Sequence, residues 1–249
     1  MSGDIRFLAH KSQAAMVQEW DRIAAERDAE LSADLDASFS LVLKPWIMDR
    51  LNGARTIVDV GCGTGRLTSS LREKAIRVVG VDPSATSITI ARSHDAFSEY
   101  EVATIEDWAA LNPFVDADLV VSNMVLMDSS NLAGICGALS QIAPRGRVLL
   151  TITHPAFWPL YWGYASSPEF DYSREVVIEA LFKTRSRRYA MTTTHVHRPV
   201  SAYLEALRRS NLHVTHFDEL RGPEGRDRFP FPRFIGIEAT VGQNSTRPA

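Results

Sequence analysis

Val-Asp-Val-Gly-Cys-Gly-Thr-Gly-Arg-Leu, residues 58–67, holds glycines at 61, 63 and 65 where an apolar run, Thr56 to Val60, gives way to a helical pattern near Arg66. This predicts a strand that turns sharply into a helix. Such a turn needs residues without a Cβ, because the backbone adopts unusual dihedrals and lets a ligand approach closely. A nucleotide-like ligand is expected at this turn.

Spacing narrows the ligand. A dinucleotide fingerprint reads Gly-x-Gly-x-x-Gly, with the pyrophosphate at the helix N-terminus. Here Arg66 stands where the last glycine should be, and Gly65 comes one residue early. Asp59 would repel a pyrophosphate but hold an ammonium group. A second apolar run, Ala75 to Val81, ends in Asp82, Pro83 and Ser84. An acid at that strand tip, about twenty residues past the glycines, sits beside a ribose and accepts from its hydroxyls. Ser84 also reads as an ordinary helix N-cap.

Asp59-x-Gly61-x-Gly63-x-Gly65 after a first strand resembles motif I of the class I S-adenosylmethionine-dependent methyltransferases, of the bacterial small-molecule type. The resemblance covers residues 52–154 strongly and 196–241 moderately. It implies S-adenosyl-L-methionine as cofactor, with Gly61, Cys62, Gly63 and Gly65 against it. It also implies an adenine site after the third run, Tyr100 to Ile105, where Ile105, Glu106 and Asp107 are candidates. Thr104 departs from the usual acid there, and Trp108 either flanks the purine or packs. After the fourth run, Asp118 to Val121, the backbone of Ser122 and Asn123 would meet the methionine portion, and Met127 would border the substrate. Ala143-Pro-Arg-Gly146 replaces the usual Pro-Gly-Gly before strand five, Arg147 to Thr153.

Composition bounds the class. The chain has 249 residues, 45% of them hydrophobic and 23% charged, with a net charge of −3. That suits one α/β domain and an ordinary folded protein. No basic tract is long enough to follow a phosphate backbone. Lys183, Arg185, Arg187 and Arg188 alternate with small polar residues, as on a solvated strand edge. Cys62 and Cys136 lack metal-ligand spacing and read as reduced thiols, and no apolar run has membrane length. The expectation is a cytoplasmic protein without nucleic-acid or membrane partners; a homodimer is allowed. No convincing metal set is present, although Asp128 with a histidine is left open.

Two regions outside this frame would select the acceptor. Near the N-terminus, Met16, Trp20, Ile23, Ala24 and Arg27 follow helical spacing while Asp21, Glu26 and Asp28 face away. A helix there would lie across the mouth as a lid, with Trp20 either covering the cofactor or anchoring the helix. After strand five, Phe157, Trp158, Tyr161, Trp162, Tyr164, Phe170 and Tyr172 place seven aromatics in sixteen residues. Prolines and a glycine among them predict an irregular cap over an apolar, aromatic or amine-bearing small molecule; protein docking is the alternative. Phe157, Trp158, Tyr161, Trp162 and Arg198 are the substrate-site candidates besides Met127.

Tyr189 to Val196 reads as a strand leading to His197, Arg198 and Pro199, a His-Arg-Pro stretch that resembles one in many bacterial small-molecule methyltransferases. Methyl transfer from a sulfonium is an in-line displacement that rests on alignment, with a base only where the nucleophile carries a proton. His154, at the end of strand five, is the first candidate base and His197 the second; either also suits orientation. For His195 a structural role is favoured.

The expected fold is α/β: a Rossmann-like doubly wound seven-stranded sheet, order 3-2-1-4-5-7-6, with strand seven antiparallel. It would form a single domain over 1–249, made of a lid (1–51), a cofactor core (52–154), a substrate cap (155–195), the end of the core (196–241) and a disordered tail (242–249). The expected activity is O- or N-methylation of a small molecule. C-methylation and non-catalytic cofactor binding are the alternatives; an NAD-dependent oxidoreductase is disfavoured by Arg66.

Overall fold

A computed structural model of the protein describes residues 5–184, 186–224 and 228–242. Arg185 of the basic run, part of the 221–233 loop and the tail beyond Gly242 lie outside them. The chain opens with β1 (Ile5–Leu8) and α1 (Gln13–Ser32), then a π-helical turn, Phe39–Leu43, running into α2 (Lys44–Met48). Strands and helices then alternate: β2 (Thr56–Val60), α3 (Arg66–Arg72), β3 (Arg77–Asp82), α4 (Ala85–His94), β4 (Glu99–Val102), α5 (Ile105–Leu111) and β5 (Leu119–Asn123). A 3-10 turn, Leu126–Asp128, leads to α6 (Leu132–Ile142), β6 (Arg147–Thr153) and α7 (Trp158–Trp162). The chain ends with β7 (Val176–Lys183), β8 (Arg188–His197), α8 (Val200–Arg209), β9 (Leu212–Leu220) and β10 (Phe234–Val241).

The main sheet has the order β4-β3-β2-β5-β6-β10-β9. Numbered by its own strands this is 3-2-1-4-5-7-6, as expected, and β10 runs antiparallel to both neighbours. Its central strands are apolar on both faces because helices cover both. Ile57, Leu119, Val121 and Leu149 pack against Trp46, Ile47 and Leu71 on one side. Val58, Val120, Val148 and Leu150 pack against Ile135, Leu139 and Leu207 on the other. The period-two alternation of each strand divides the two cores.

Local chemistry moved some boundaries. The third run ends at Val102 because the Thr104 side chain caps α5, accepting from the Asp107 N–H at 3.2 Å. β9 runs the full length of Leu212–Leu220 because it pairs along the length of β10.

The Pro- and Gly-bearing stretch is irregular as expected, apart from a five-residue helix; the regular part of the cap comes after it. After the short α7, β7 and β8 form an antiparallel hairpin, and β1 adds to β7 to give a second, three-stranded sheet, β1-β7-β8. Between the two sheets lies α1, held by carboxylates on both sides. Asp21 accepts from Ser84 Oγ at 2.6 Å and Thr86 N at 3.2 Å, and Asp28 pairs with Arg66 Nε at 2.9 Å. Toward the hairpin, Glu19 accepts from Thr194 N at 2.9 Å and Glu30 from Tyr189 Oη at 2.6 Å. The expectation that Asp21 and Asp28 face away is thus corrected: each ties the lid helix to the core.

Gly236 of β10 exposes the tolerance of this packing. A Cβ there would lie 2.5 Å from the Trp46 ring, which is itself fixed by a 2.7 Å hydrogen bond from Nε1 to Asp218. Gly236→Ala is expected to destabilise the fold by about 1–3 kcal/mol in urea unfolding, and Trp46→Leu to relieve most of that penalty in the double variant.

Candidate active site

The glycine turn is built as its spacing requires. Gly61, Gly63 and Gly65 have φ of 68°, 54° and 78°, in the left-handed region. A Cβ on Gly61 would come within 2.3 Å of Val125, whereas one on Gly63 would meet nothing within 4 Å. Gly65 plays a different part. Its Cβ would strike Tyr100 Oη at 2.7 Å and Ala91 at 2.9 Å, so this glycine permits close packing and lines no cavity. Arg66, in place of the missing glycine, reaches back to Asp28 of the lid.

Two cavities meet over this turn. One, of about 180 Å³, is lined by Asp82, Pro83, Ser84, Thr104, Ile105 and Glu106. The other, of about 240 Å³, runs under the cap and is lined by Asp59, Cys62, Asn123, Met127, Trp158 and Trp162. Trp20, Gly61, Gly63, Ser87, Met124 and Asp128 border both. Trp20 packs edge-on against Phe182 of β7, with centroids 5.4 Å apart, so α1 meets the hairpin at this point. Met124 has a φ of 61°, a strained value for a side-chain-bearing residue, and its N–H donates to Thr151 O at 2.9 Å.

Acidic groups concentrate at this junction. Asp82 accepts from Gly63 N at 2.9 Å and Ser84 N at 2.8 Å, yet burial pushes its pKa up to about 6. Asp59 accepts from Thr68 Oγ1 at 2.7 Å, and burial raises it to about 7. Asp128 makes no side-chain hydrogen bond or ion pair among the described residues. Burial, then the nearby Glu19 carboxylate, raises its pKa well above the usual range. Asp82 and Asp128 are half-buried, and both line the smaller cavity.

Several sequence candidates lie elsewhere. His154 lines neither cavity: its Nδ1 accepts from Ala156 N at 3.2 Å, so Nε2 carries the proton donated to Glu219 at 2.8 Å. His197 donates from Nε2 to Tyr172 O at 3.1 Å and packs against Phe170. Arg198 is buried and holds the loop after β5 through Leu126 O at 3.2 Å and Ser129 O at 2.8 Å. Phe157 stacks on Phe231, and Tyr161 lies under Arg233. Asp107 closes the capping pair with Thr104. Trp108 packs in the core, and Ser122 is fully buried in β5.

His195 is the histidine at the cavity wall, beside Thr193 on the same face of β8. Its Nε2 lies 3.0 Å from Tyr164 Oη. Burial, with the charges of His197 and Arg198, lowers its pKa to about 3, so the ring is neutral at physiological pH. The period-two pattern put His195 and His197 on one face. Only the crossing point of the hairpin over the cavity decides between them.

Residues 58–150 match the family model described as Methyltransferase domain. The match runs from β2, through the glycine turn, to β6. The chain is 29% identical over 112 residues to a ubiquinone biosynthesis O-methyltransferase of Rhodopseudomonas palustris, covering 43% of this chain and 42% of that protein. It is 40% identical over 78 residues to a trans-aconitate 2-methyltransferase of Azoarcus, covering 30% of each. The chain thus spans less than half the length of these curated relatives. Among solved structures, a 1,6-didemethyltoxoflavin-N1-methyltransferase of Burkholderia thailandensis with bound S-adenosylhomocysteine superimposes with a TM-score of 0.62 at 14% identity, over 98% of this chain and 97% of that one.

The cofactor of this methyltransferase family fits the residues present. Gly63 leaves open the space a Cβ would fill, and Asp82 at the strand tip borders the smaller cavity with Thr104, Ile105 and Glu106. Asp59 and Asp128 place carboxyl groups, whose proton affinity burial raises, at the larger cavity.

The raised Asp59 pKa has a signed consequence for stability. The unfolded chain releases this proton near 3.8 and the folded protein near 7, so Asp59 favours folding below about pH 4 and loses that contribution as pH rises to 7. Asp59→Asn should therefore raise stability, relative to the parent protein, more at pH 8 than at pH 5 in denaturant unfolding without ligand. An equal effect at both pH values would contradict the assignment.

Proposed function

We propose that this protein transfers a methyl group from S-adenosylmethionine to a small planar acceptor, with oxygen or nitrogen as the methylated atom. The observation that carries the proposal is the pair of cavities joined at Trp20, Gly61, Gly63, Met124 and Asp128. One has the strand-tip acid and helix N-terminus suited to an adenosine; the other lies beneath aromatic side chains. The curated relatives are named as O-methyltransferases or carry 2-methyltransferase activity, which favours oxygen. The bound cofactor supplies a methyl group on a sulfonium, an electrophile that needs alignment more than acid assistance.

The chain's own residues provide that alignment. Asp82 would accept from ribose hydroxyls and Glu106 would face the base. Asp59 and the backbone at Asn123 and Met124 would meet the amino-acid end. Trp20 and Phe182 exclude water, which matters because a held near-attack geometry is worth roughly 7–11 kcal/mol. In place of His154 and His197, Asp128 is the proton acceptor in this proposal, since its carboxyl borders both cavities and has no hydrogen-bond partner among the described residues. Neutral His195 orients the acceptor from the opposite wall.

The test is a screen of small acceptors with the methylated product identified by mass. Asp128→Asn should lower turnover by about 10²–10⁴-fold on a hydroxyl acceptor while cofactor affinity stays within a few-fold, whereas His154→Gln should keep most of the activity. Cofactor binding with no product from any acceptor would favour a non-catalytic role, and a new carbon–methyl bond would favour C-methylation.

A further inference from the structure

The aromatic end of the larger cavity is already supplied with cations. The Arg233 guanidinium lies 3.9 Å from the Tyr161 ring centroid and 5.8 Å from that of Trp158. Lys183 Nζ lies 5.0 Å from the Trp162 ring centroid. Arg233, Lys183, Trp158 and Trp162 line the larger cavity and not the smaller one. Ring faces that could attract an ammonium-bearing acceptor thus already carry the protein's own positive charge.

Arg233 is also incompletely used. It is 4% exposed, and its Nη1 donates to Glu224 at 2.6 Å. Its Nε is buried without a hydrogen-bond partner, and no bond from Nη2 occurs among the described residues. Stacking on Tyr161 covers a face of the guanidinium; in its plane Nε is unpartnered but enclosed, and Nη2 is the donor left toward the cavity. Nη2 matches an oxygen of a carboxylate, and a buried donor without a partner favours a ligand that supplies an acceptor. Glu224 counters Arg233 directly, and its Oε1 is likewise buried without a partner; the carboxyl groups of Asp128 and Asp59 lie at the junction of the cavities and beside the glycine turn. Carboxyl groups therefore lie toward the glycine turn, and the guanidinium and ammonium groups lie under the cap.

Resting on the methyltransferase reading above, we infer that the acceptor is a planar acid whose carboxylate is held by Nη2 of Arg233 among the cap aromatics. Trp158 and Trp162 stack beside its ring, and its methylated atom points toward Asp128.

The test uses a matched set, 4-hydroxybenzoate, 4-hydroxybenzamide and tyramine, titrated into the whole protein loaded with S-adenosylhomocysteine and followed by tryptophan fluorescence. The acid should bind at least about tenfold more tightly than the amide, with tyramine weakest. The double variant Arg233→Gln/Glu224→Gln, which removes both members of the buried pair, should keep cofactor affinity and lose the preference for the acid. Equal or tighter binding of the amide or amine, or no binding of the acid, overturns the inference, and the wild-type series decides this even if the variant does not fold. Failure of S-adenosylhomocysteine to bind in the first step would instead overturn the methyltransferase reading.

Discussion

The close approach of backbone at the end of β2 is the constraint on which the site depends. The chain leaves the central strand, makes three left-handed turns at Gly61, Gly63 and Gly65, and enters α3. Each glycine answers a different demand: Val125 crowds the first, open space faces the second, and Tyr100 with Ala91 packs on the third. Substituting any of them would strain the backbone. Only at Gly63 would the added atom enter space left for a ligand. The turn thus sets the floor of both cavities and the separation between them.

The walls follow from how α1 is held. Asp21 and Asp28 fasten it to the core, Glu19 and Glu30 to the hairpin, so one helix serves two sheets. Lys11 bridges Glu19 and Glu179 within the same latch. Buried or half-buried ion pairs of this kind add little net stability but fix geometry, because a misplaced helix would leave charges without partners. Trp20 is positioned by that geometry, and with it the boundary between cofactor and acceptor spaces.

The sheet was legible because its signals are local. Apolar runs of β-branched residues, the glycine turn and Pro199 before α8 each act within a few residues and placed the elements, while the strand order and the direction of β10 were what the resemblance to class I methyltransferases implied. The cap was less legible. Proline and glycine between Pro155 and Pro168 rightly marked irregular chain, but Val176–Lys183 beyond it pairs with β1 from the far N-terminus, a contact that no local pattern reveals. The same limit explains the histidines. His154 leaves β6 at the expected place, yet its ring turns to Glu219, while His195, equivalent to His197 by alternation, reaches the cavity. Arg233 lay in a loop with little periodicity, and its role depends on aromatics seventy residues earlier in the chain.

The central claim is that the turn at Gly61–Gly65, with Asp59 and Asp82, is built for a nucleoside bearing an amino acid rather than for a dinucleotide. Isothermal titration of the unmodified protein with S-adenosylhomocysteine and, separately, with NAD tests it most directly. Saturable binding of S-adenosylhomocysteine with no heat from NAD is the predicted result; binding of NAD, or the absence of S-adenosylhomocysteine binding, would contradict it.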